Sequence, residues 1–476
     1  MWRARSEYLQ TKATFPQSHF KIYFIMTKKK LPMDIIHPHC AGIDIGSRSH
    51  FVATGKQEND VKEFGVYADD LTQICLHLKE HGITSVAMES TGSYWQNLYV
   101  ELIKHGFDVT LCNGKFTKNI KGKKTDVKDA RWIQKLHSIG LLTGSFLPDE
   151  TTEVLRTYCR QRQNCLDQAV EATHKMQKYL KLLNFRLDVV VRDVCGLTGL
   201  KIIEAICQGN LNPVELAKHR HFNCRKSETE IAKALKGNNR QDYLFGLRQE
   251  FETYRFLQNK ITECEIQISR FLQQQINTNP KKKKLQTSHK KHKRLNKNAI
   301  TGIDLNQAAY QYFGGVDLMN IEGMGHATVL SIISEVGPEG FTKFETAKHF
   351  TSWLRLAPNN KISGGKLLST KTPKGSNRLK IALRNAANAI GNLKDTHLSN
   401  FFKRVCFRKG RTVAVSATAR KLAVIIWNMI VKRIPYTPPT QYLFLDEKRK
   451  LGLAKRIRKQ IDKFGLTNEQ LGLSMT

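Results

Sequence analysis

The sequence lacks the patterns that mark a secreted, membrane-spanning or disulfide-rich protein. Its ten cysteines are scattered, without a CxxC pair or a compact framework, which excludes a disulfide scaffold and fits a reducing compartment. The one apolar run near the start, Phe20 to Met26, is too short to span a bilayer and lacks a cleavage site of small residues. We therefore expect a cytoplasmic protein without membrane association.

Acidic residues are scarce relative to basic ones. The chain has 77 Lys+Arg against 41 Asp+Glu, a formal net charge of +36, which predicts a polyanionic partner. The basic residues are spread over the whole chain instead of lying on one amphipathic helix, which favours nucleic acid over a membrane surface and predicts association with the nucleoid. The sequence contains no helix-turn-helix or zinc finger that could read a DNA target by itself.

A chain of 476 residues is too long for a single core and predicts roughly two to four cores. Runs at 40–46, 50–55 and 63–68 predict a three-stranded meander. A helix follows, and further strands at 84–90 and 107–113 alternate with helices. This order is that of the ribonuclease H fold, by analogy at the level of the fold alone.

The rest of the chain changes character several times. Long polar stretches with apolar residues at helical spacing predict extended helices or a coiled coil, and apolar residues that include Phe245 and Phe256 predict an antiparallel return or a dimer seam. Glycines and a proline mark an irregular insertion at 186–242. A lysine-rich linker should be disordered unless phosphate neutralises its charge. The predicted division is a disordered extension (1–34), an α/β domain (35–145), a helical region (146–276), a basic linker (277–300), a mostly helical domain (316–435) and a basic tail (436–476).

Four carboxylates stand out in the α/β region. Asp44 interrupts an otherwise apolar strand, where a carboxylate is costly to bury unless a metal ion or a hydrogen bond compensates its charge. Glu89 ends a later strand, at the rim of the sheet, where sites form. Asp126 and Asp129 share one face of a predicted helix that Thr125 can cap. Together these four residues can hold two Mg²⁺ ions about 4 Å apart.

Each carboxylate also has a structural interpretation. Asp126 suits the first turn of a helix, whose dipole favours an acidic side chain. Glu89 can cap the next helix, and Asp44 can start a turn before Gly46. The agreement of strand order and spacing favours the metal site.

Three blocks contain these carboxylates in chain order: GIDIG, ESTG and KTDVKDA. They resemble the N-terminal blocks of the DEDD transposases of the insertion-sequence one-ten family, whose four carboxylates match Asp44, Glu89, Asp126 and Asp129. The C-terminal half is similar to that family in IEGMGHATVLSIISEVG (321–337), FxxAKHFTSWLRLAP (344–358), KISGGK (361–366) and STKTPKGSNRLKIALRNAA (369–387). The stretch PNNKISGGK resembles the corresponding stretch in the branch of the family sometimes called eleven-eleven. The resemblance covers Cys40–Leu142 and Asp317–Arg433.

The resemblance implies a multidomain architecture: an N-terminal α/β RNase H-like (RuvC-like) domain, a long helical or coiled-coil middle and a mostly helical C-terminal transposase domain. It implies a recombinase that excises and inserts its own mobile element by Mg²⁺-dependent strand exchange between donor and target DNA. It further implies guidance by a noncoding bridge RNA, and a homo-oligomer, a dimer or tetramer, with composite sites.

Ser363 lies where the catalytic serine of that family falls. The resemblance implies that this serine attacks the scissile phosphate and forms a transient phosphoserine. On sequence alone, Ser363 is a turn residue in a glycine-rich loop, where Gly364 and Gly365 would let a DNA backbone approach closely.

Two further features predict contact with nucleic acid. Gly323 and Gly325 precede an apolar helix and resemble a helix-hairpin-helix turn, which is either structural or a phosphate grip through backbone N–H groups. A cluster of cations follows the serine, and we predict that it binds phosphates: Lys366, Lys371, Lys374, Arg378, Lys380 and Arg384.

Alternative functions and sites remain open at the sequence level. A metal-dependent nuclease of the ribonuclease H or Holliday-junction-resolving kind needs the four carboxylates and water but not Ser363. A non-catalytic nucleic-acid-binding scaffold needs neither. Two groups of potential zinc ligands lack a fourth ligand at the usual spacing, which predicts core or surface roles for them: His219, His221 and Cys224, and Cys75, His77 and His81.

Overall fold

The computed structural model describes residues 34–114, 125–278, 298–394, 396–438, 443–467 and 470. The predicted extension up to residue 33 and the predicted basic linker from 279 to 297 lie outside the described residues. The chain divides into an N-terminal unit, Met1–Phe146, and a C-terminal unit, Leu147–Thr476.

The N-terminal unit contains a five-stranded mixed sheet with the strand order β3-β2-β1-β4-β5. The meander β1-β2-β3 is antiparallel, and β4 and β5 add to β1 in parallel. Buried runs such as Cys40–Ile43 and Val86–Met88 explain why β1 and β4 are central. The strands are β1 (Cys40–Ile45), β2 (His50–Ala53), β3 (Val61–Phe64), β4 (Ser85–Glu89) and β5 (Asp108–Cys112).

Helices connect and cover this sheet. The buried residues of α1 recur at helical spacing, as in Leu71, Ile74, Cys75 and Leu78. The mixed α/β domain predicted from the sequence is confirmed. The helices that the structure describes in full in this unit are a short 3₁₀ turn (Glu58–Asp60), α1 (Ala68–Glu80), α2 (Trp95–Lys104) and α3 (Asp126–Ser138).

The first part of the C-terminal unit contains two long helices, α4 (Glu150–Leu182) and α9 (Gln241–Thr278). They pack antiparallel: Arg162 contacts Glu265 near one end, and a Cβ on Gly246 would meet the ring of Tyr179 near the other. The predicted antiparallel return is therefore present within one chain. Phe245 and Phe256, predicted on the packing seam, are 64% and 58% exposed instead, because they lie off the stripe of Leu247, Phe251, Tyr254 and Leu257 that faces α4.

The segment between the two long helices is helical, where the sequence analysis predicted irregular structure. Its glycines and proline mark helix ends: Gly196 is the N-cap of α6, Gly209 follows the same helix with φ +95°, and Pro213 begins α7. These helices share a buried core with α4 and α9 that includes Phe185 and Ile202. The helices are α5 (Leu187–Val190), α6 (Leu197–Cys207), α7 (Pro213–Ala217) and α8 (Glu228–Ala234).

Residues 298–394 and 396–438 form the remaining core of the C-terminal unit, and the regular structure described there is helical except for one two-stranded hairpin. Aromatic residues fill its interior, with Phe341, Phe350 and Trp353 in contact and Nε1 of Trp427 donating to the carbonyl oxygen of Phe344 at 3.2 Å. The elements are α10 (Leu305–Tyr312), a 3₁₀ turn (Leu318–Asn320), α11 (His326–Glu335), α12 (Gly337–Thr342), α13 (Ala347–Trp353), β6 (Lys361–Ser363), β7 (Lys366–Ser369), α14 (Arg378–Ile390), α15 (His397–Lys409) and α16 (Arg411–Lys432).

By length and composition alone, α16 could cross a membrane, and no other helix in the described part of the chain could. Its residues Leu422, Ala423 and Ile426 are fully buried against neighbouring helices, as expected for the central helix of a folded core. The predicted basic tail contains α17 (Leu443–Phe464), whose described side chains are mostly exposed.

Candidate active site

Asp44 and Glu89 lie side by side at one end of the sheet. The parallel register of β1 and β4 pairs Ile43 with Met88, so the next residue of each strand is Asp44 on β1 and Glu89 on β4. In-register neighbours on parallel strands point to the same face, with the strands ~4.8 Å apart. Both side chains are partly buried, and each has further polar interactions.

The helix α3 brings the other two carboxylates to the same face. Gly42 lies two residues before Asp44 and therefore on the same face, and a Cβ there would fall 2.5 Å from the carbonyl oxygen of Ala130 and 2.7 Å from Cα of Gln134. The helix runs antiparallel to β1, since the backbone N–H of Ile36, before the strand, donates to the carbonyl oxygen of Ser138 at the helix end.

This packing fixes where Asp44 meets the helix. Two strand residues rise ~6.6 Å, which equals roughly four helical residues. Moving that far along α3 from its contacts with Gly42 places Asp44 beside the first turn of the helix. Asp126 and Asp129 lie in that turn, the first exposed and the second partly buried. This packing therefore places all four carboxylates at one end of the N-terminal unit, although within the described part of the chain no three of them bring ligand oxygens within 4.8 Å of one another.

The position at which α3 begins is determined by a local capping residue. The side-chain oxygen of Thr125 accepts a hydrogen bond from the backbone N–H of Lys128 at 3.4 Å, which caps the helix as the sequence predicts. The positive end of the helix dipole then favours Asp126 and Asp129. The first turn therefore stabilises these carboxylates even without a metal ion.

Gly114 is a site residue that the sequence analysis missed. A Cβ at this position would overlap Oε1 of Glu89 and lie 2.8 Å from its Cδ, so a side chain there would force the carboxylate to move. The nearby Cys112 thiol has a pKa raised to about 11, first by burial and then by the negative charge of Glu89. The signal in the sequence is a glycine just after the end of β5.

Ser363 lies at the end of an exposed hairpin that the sequence did not predict. It pairs with Lys366 across β6 and β7, and Gly364 and Gly365 form the connecting turn with φ of +54° and +75°. Two positive φ values match the I′ turn that fits the twist of a hairpin. A Cβ on either glycine would meet no atom within 4 Å, so the approach to the serine is open.

The predicted phosphate-binding cations do not share one environment. Lys366, Lys371, Lys374 and Arg378 are exposed. Nη1 of Arg384 instead donates to Oγ of Ser416 at 2.8 Å.

Lys380 is buried, and its ammonium donates to the carbonyl oxygen of Pro373 at 3.4 Å. Burial, followed by the charges of Arg384 and Arg355, lowers its pKa. This lysine therefore fixes the loop that presents the exposed cations.

Arg355 was also missed, and it holds the same loop. Its Nη1 donates to the carbonyl oxygen of Lys374 at 2.6 Å, and a Cβ on Gly375 would collide with its guanidinium. Its backbone φ is +54°, a conformation that L-residues adopt at a cost. No local pattern in the sequence predicts that conformation.

The two glycines of the predicted helix-hairpin-helix turn differ in role. Gly323 has φ +75°, and a Cβ there would overlap Ile390 and lie 3.2 Å from the carbonyl oxygen of Ala386, so this glycine packs against α14. Gly325 is the N-cap of α11, and a Cβ there would meet nothing within 4 Å. The second glycine is the one that leaves the helix N-terminus accessible.

Comparison with known proteins gives two matches: one covers most of the N-terminal unit and continues through α4, and the other lies within the C-terminal unit. Residues 41–185 match the DEDD transposase model of IS110, described as a transposase, and residues 317–403 match the model described as the transposase IS116/IS110/IS902 family. A search of curated proteins gives no match. The first match contains the four carboxylates and the second contains Ser363. Together the two matches support the IS110 family of transposases for this chain, and with it a DNA-acting transposase or recombinase of a mobile element.

Proposed function

We propose that this protein cuts and rejoins the DNA of its own mobile element, with four carboxylates on an RNase H-like (RuvC-like) N-terminal domain and Ser363 as the nucleophile. The observation that carries the proposal is the in-register placement of Asp44 and Glu89 beside the first turn of α3. An antiparallel meander extended by two parallel strands supports the RNase H-like assignment. The presence of both transposase matches supports DNA as the substrate.

The donor set fits Mg²⁺. Asp44, Glu89, Asp126 and Asp129 offer oxygen ligands only, which hard cations prefer. Gly114 leaves space beside the Glu89 carboxylate that a side chain would fill. Two Mg²⁺ ions bound there would supply charge neutralisation at the phosphate and activation of the attacking and leaving oxygens. The carboxylates themselves fix the position of those charges at the end of the sheet.

The chemical step at Ser363 is a phosphoryl transfer. Its Oγ attacks the phosphorus of the scissile phosphodiester, the new O–P bond forms as the bond to one sugar oxygen breaks, and the serine proton leaves while the sugar oxygen gains a proton. Attack on the phosphoserine by a different sugar hydroxyl reverses these steps and joins new strands. A serine hydroxyl needs activation, which we assign to the carboxylate site of this chain or of a neighbouring subunit.

The partners follow from charge and family. The exposed cations after the hairpin and the net charge of +36 support phosphate binding. Phosphate contacts carry no sequence information, so a noncoding bridge RNA would supply target choice, as the resemblance to the family implies. We propose that the working form is a homo-oligomer acting on donor and target DNA in the cytoplasm, at the nucleoid.

The deciding experiment looks for the covalent intermediate. Purified protein, the RNA transcribed from the flank of the element and labelled donor DNA are incubated with Mg²⁺, and a denaturant-resistant protein–DNA adduct is measured. We expect the adduct with the wild type and with Ser331→Ala, whose hydroxyl bonds within its own helix, but not with Ser363→Ala. Cleavage without an adduct, unchanged in Ser363→Ala, would instead establish the metal-dependent nuclease.

A second pair of variants tests the carboxylates. Glu89→Gln keeps the shape of the side chain and removes its charge, and we expect loss of cleavage with DNA binding retained. Glu101→Gln is the matched control, because Glu101 is also a partly buried carboxylate but pairs with Lys104 on α2. Equal cleavage by the two variants would remove Glu89 from the catalytic set, whereas DNA binding without cleavage by the wild type would support a non-catalytic scaffold.

A further inference from the structure

The last turn of α1 brings three potential metal ligands together. His77, Glu80 and His81 each offer one ligand atom, and these atoms lie within 4.8 Å of one another. Their spacing of three and four residues places them on one face of the helix. The sequence analysis grouped Cys75 with the two histidines. That cysteine faces the core, and burial raises the pKa of its thiol to about 11, whereas Glu80 supplies the third ligand.

The orientation of His81 suits a metal ligand. Its Nδ1 lies 2.8 Å from the carbonyl oxygen of His77, so the proton on Nδ1 donates there and the lone pair is on Nε2. Histidine ligands of metals are oriented in this way by a bond from the other ring nitrogen. The ring centroids of His77 and His81 are 4.2 Å apart, so the second imidazole lies close enough to bind the same ion.

The position of the cluster at the C-terminal end of α1 also favours a cation. The cluster occupies the last turn and the C-cap of α1, where the helix dipole is negative, and the Glu80 carboxylate adds a formal charge. Glu80 and His81 are exposed, so an ion can enter from solvent.

We propose that His77, Glu80 and His81 form a binding site for a divalent transition metal, Zn²⁺, with a fourth position left to water. Two imidazoles and a carboxylate select Zn²⁺ over Mg²⁺, which prefers oxygen ligands. The site is separate from the catalytic carboxylates: α1 ends shortly before Ser85, where β4 begins, whereas Glu89 ends that strand. The proposal is therefore independent of the transposase function.

The test is a metal titration of the full-length protein, stripped of metal and without a histidine tag. Zn²⁺ binding is measured by calorimetry, and Co²⁺ binding by visible absorption, with excess Mg²⁺ to occupy the carboxylate site. We expect His77→Ala and His81→Ala each to lose one bound equivalent or to bind at least about tenfold more weakly, and Glu80→Gln to weaken binding less.

His105→Ala is the matched control. His105 ends α2 with the same ring-to-carbonyl bond, to Glu101 at 3.0 Å, and faces one carboxylate without a second histidine at its side; its removal should leave the titration unchanged. Thermal melts in metal-free buffer check that each variant folds. If His77→Ala is unstable, His81→Ala, which replaces an exposed side chain, decides the test. Wild-type stoichiometry and affinity in His81→Ala would overturn the proposal.

Discussion

Arg162 of α4 and Glu265 of α9 form a buried ion pair, with Nη2 of the arginine 2.6 Å from Oε1 of the glutamate. Nη2 of Arg162 also donates to the carbonyl oxygen of Asn298, and Oε2 of Glu265 accepts from the backbone N–H and the hydroxyl of Thr301. The pair thus joins the two long helices to the chain segment that leads into α10.

Breaking this pair from one side should be strongly destabilising. Arg162→Met leaves the Glu265 carboxylate buried without its counter-charge, and we expect a loss of about 3–5 kcal/mol in the free energy of unfolding, measured from the urea transition of the C-terminal unit. Restoring a neutral partner in Arg162→Met/Glu265→Gln should recover part of the loss. Lys260→Ala, which removes an exposed pair with Glu263, should leave the transition unchanged.

Gly42 should tolerate no side chain, because β1 and α3 are in direct contact there. In Gly42→Val the helix must move away from the strand, which costs about 1–3 kcal/mol and displaces Asp126 and Asp129 from Asp44. We expect a lower melting temperature and a loss of Mg²⁺-dependent cleavage. Gly452→Ala, at a helical position where a Cβ meets nothing within 4 Å, should do neither. An active Gly42→Val enzyme would contradict the placement of α3.

The turn of the serine hairpin offers a test that separates activity from stability. Gly364→Val forces a β-branched residue into positive φ and should turn Ser363 away from its position. Adduct formation should fall by at least about tenfold, a loss of ~1.4 kcal/mol at the transition state. The melting temperature should not change, since β6 and β7 are exposed. Gly364→Asn, which accepts this conformation more readily, should keep most of the activity.

His137 should make the N-terminal unit sensitive to acid. The ring is buried, lies 2.7 Å through Nε2 from Oγ of Ser85 and stacks on His37. Burial, followed by the charge of His37, lowers its pKa to about 4. The unfolded chain therefore binds the proton more readily, so this contribution to stability is complete above pH ~6.5 and is lost as the pH falls from there towards ~4.

The size of this effect is on the order of 3 kcal/mol. We expect the melting temperature of the wild type to fall more steeply between pH 7 and pH 4.5 than that of His137→Gln, which can keep a hydrogen bond to Ser85. His349→Gln, which removes an exposed histidine beside Glu345, should keep the wild-type slope. Parallel curves for the wild type and His137→Gln would contradict the assignment.

The succession of strands and helices along the N-terminal unit and the four candidate carboxylates were accessible from the sequence because both depend on local patterns. Alternating and continuous apolar runs reveal strands, and an acidic residue at a strand end is visible without any tertiary information. The in-register pairing of Asp44 with Glu89, and the roles of Gly42 and Gly114 as spaces beside other elements, depend on contacts between distant residues. Those contacts can be read only from the fold.

Other features were missed for different physical reasons. The helices between α4 and α9 are short, and their glycines and proline are helix boundaries, which a single sequence does not distinguish from loop residues. Phe245 and Phe256 show that an apolar residue on a long helix need not face its partner. The serine hairpin has three- and four-residue strands with exposed side chains, so it has no alternating pattern to detect.

The antiparallel pair of α4 and α9 sets the distance between α11 and the inserted helices within the C-terminal unit. Arg156 and Arg160, near one end of α4, bind Glu335 of α11, while Leu183, just past the other end, packs into the core of the inserted helices. From Arg156 to Leu182 the helix spans ~40 Å. One turn of B-form DNA advances about 34–36 Å. The rod therefore holds the inserted helices at a fixed distance from α11, slightly more than one turn of such a duplex.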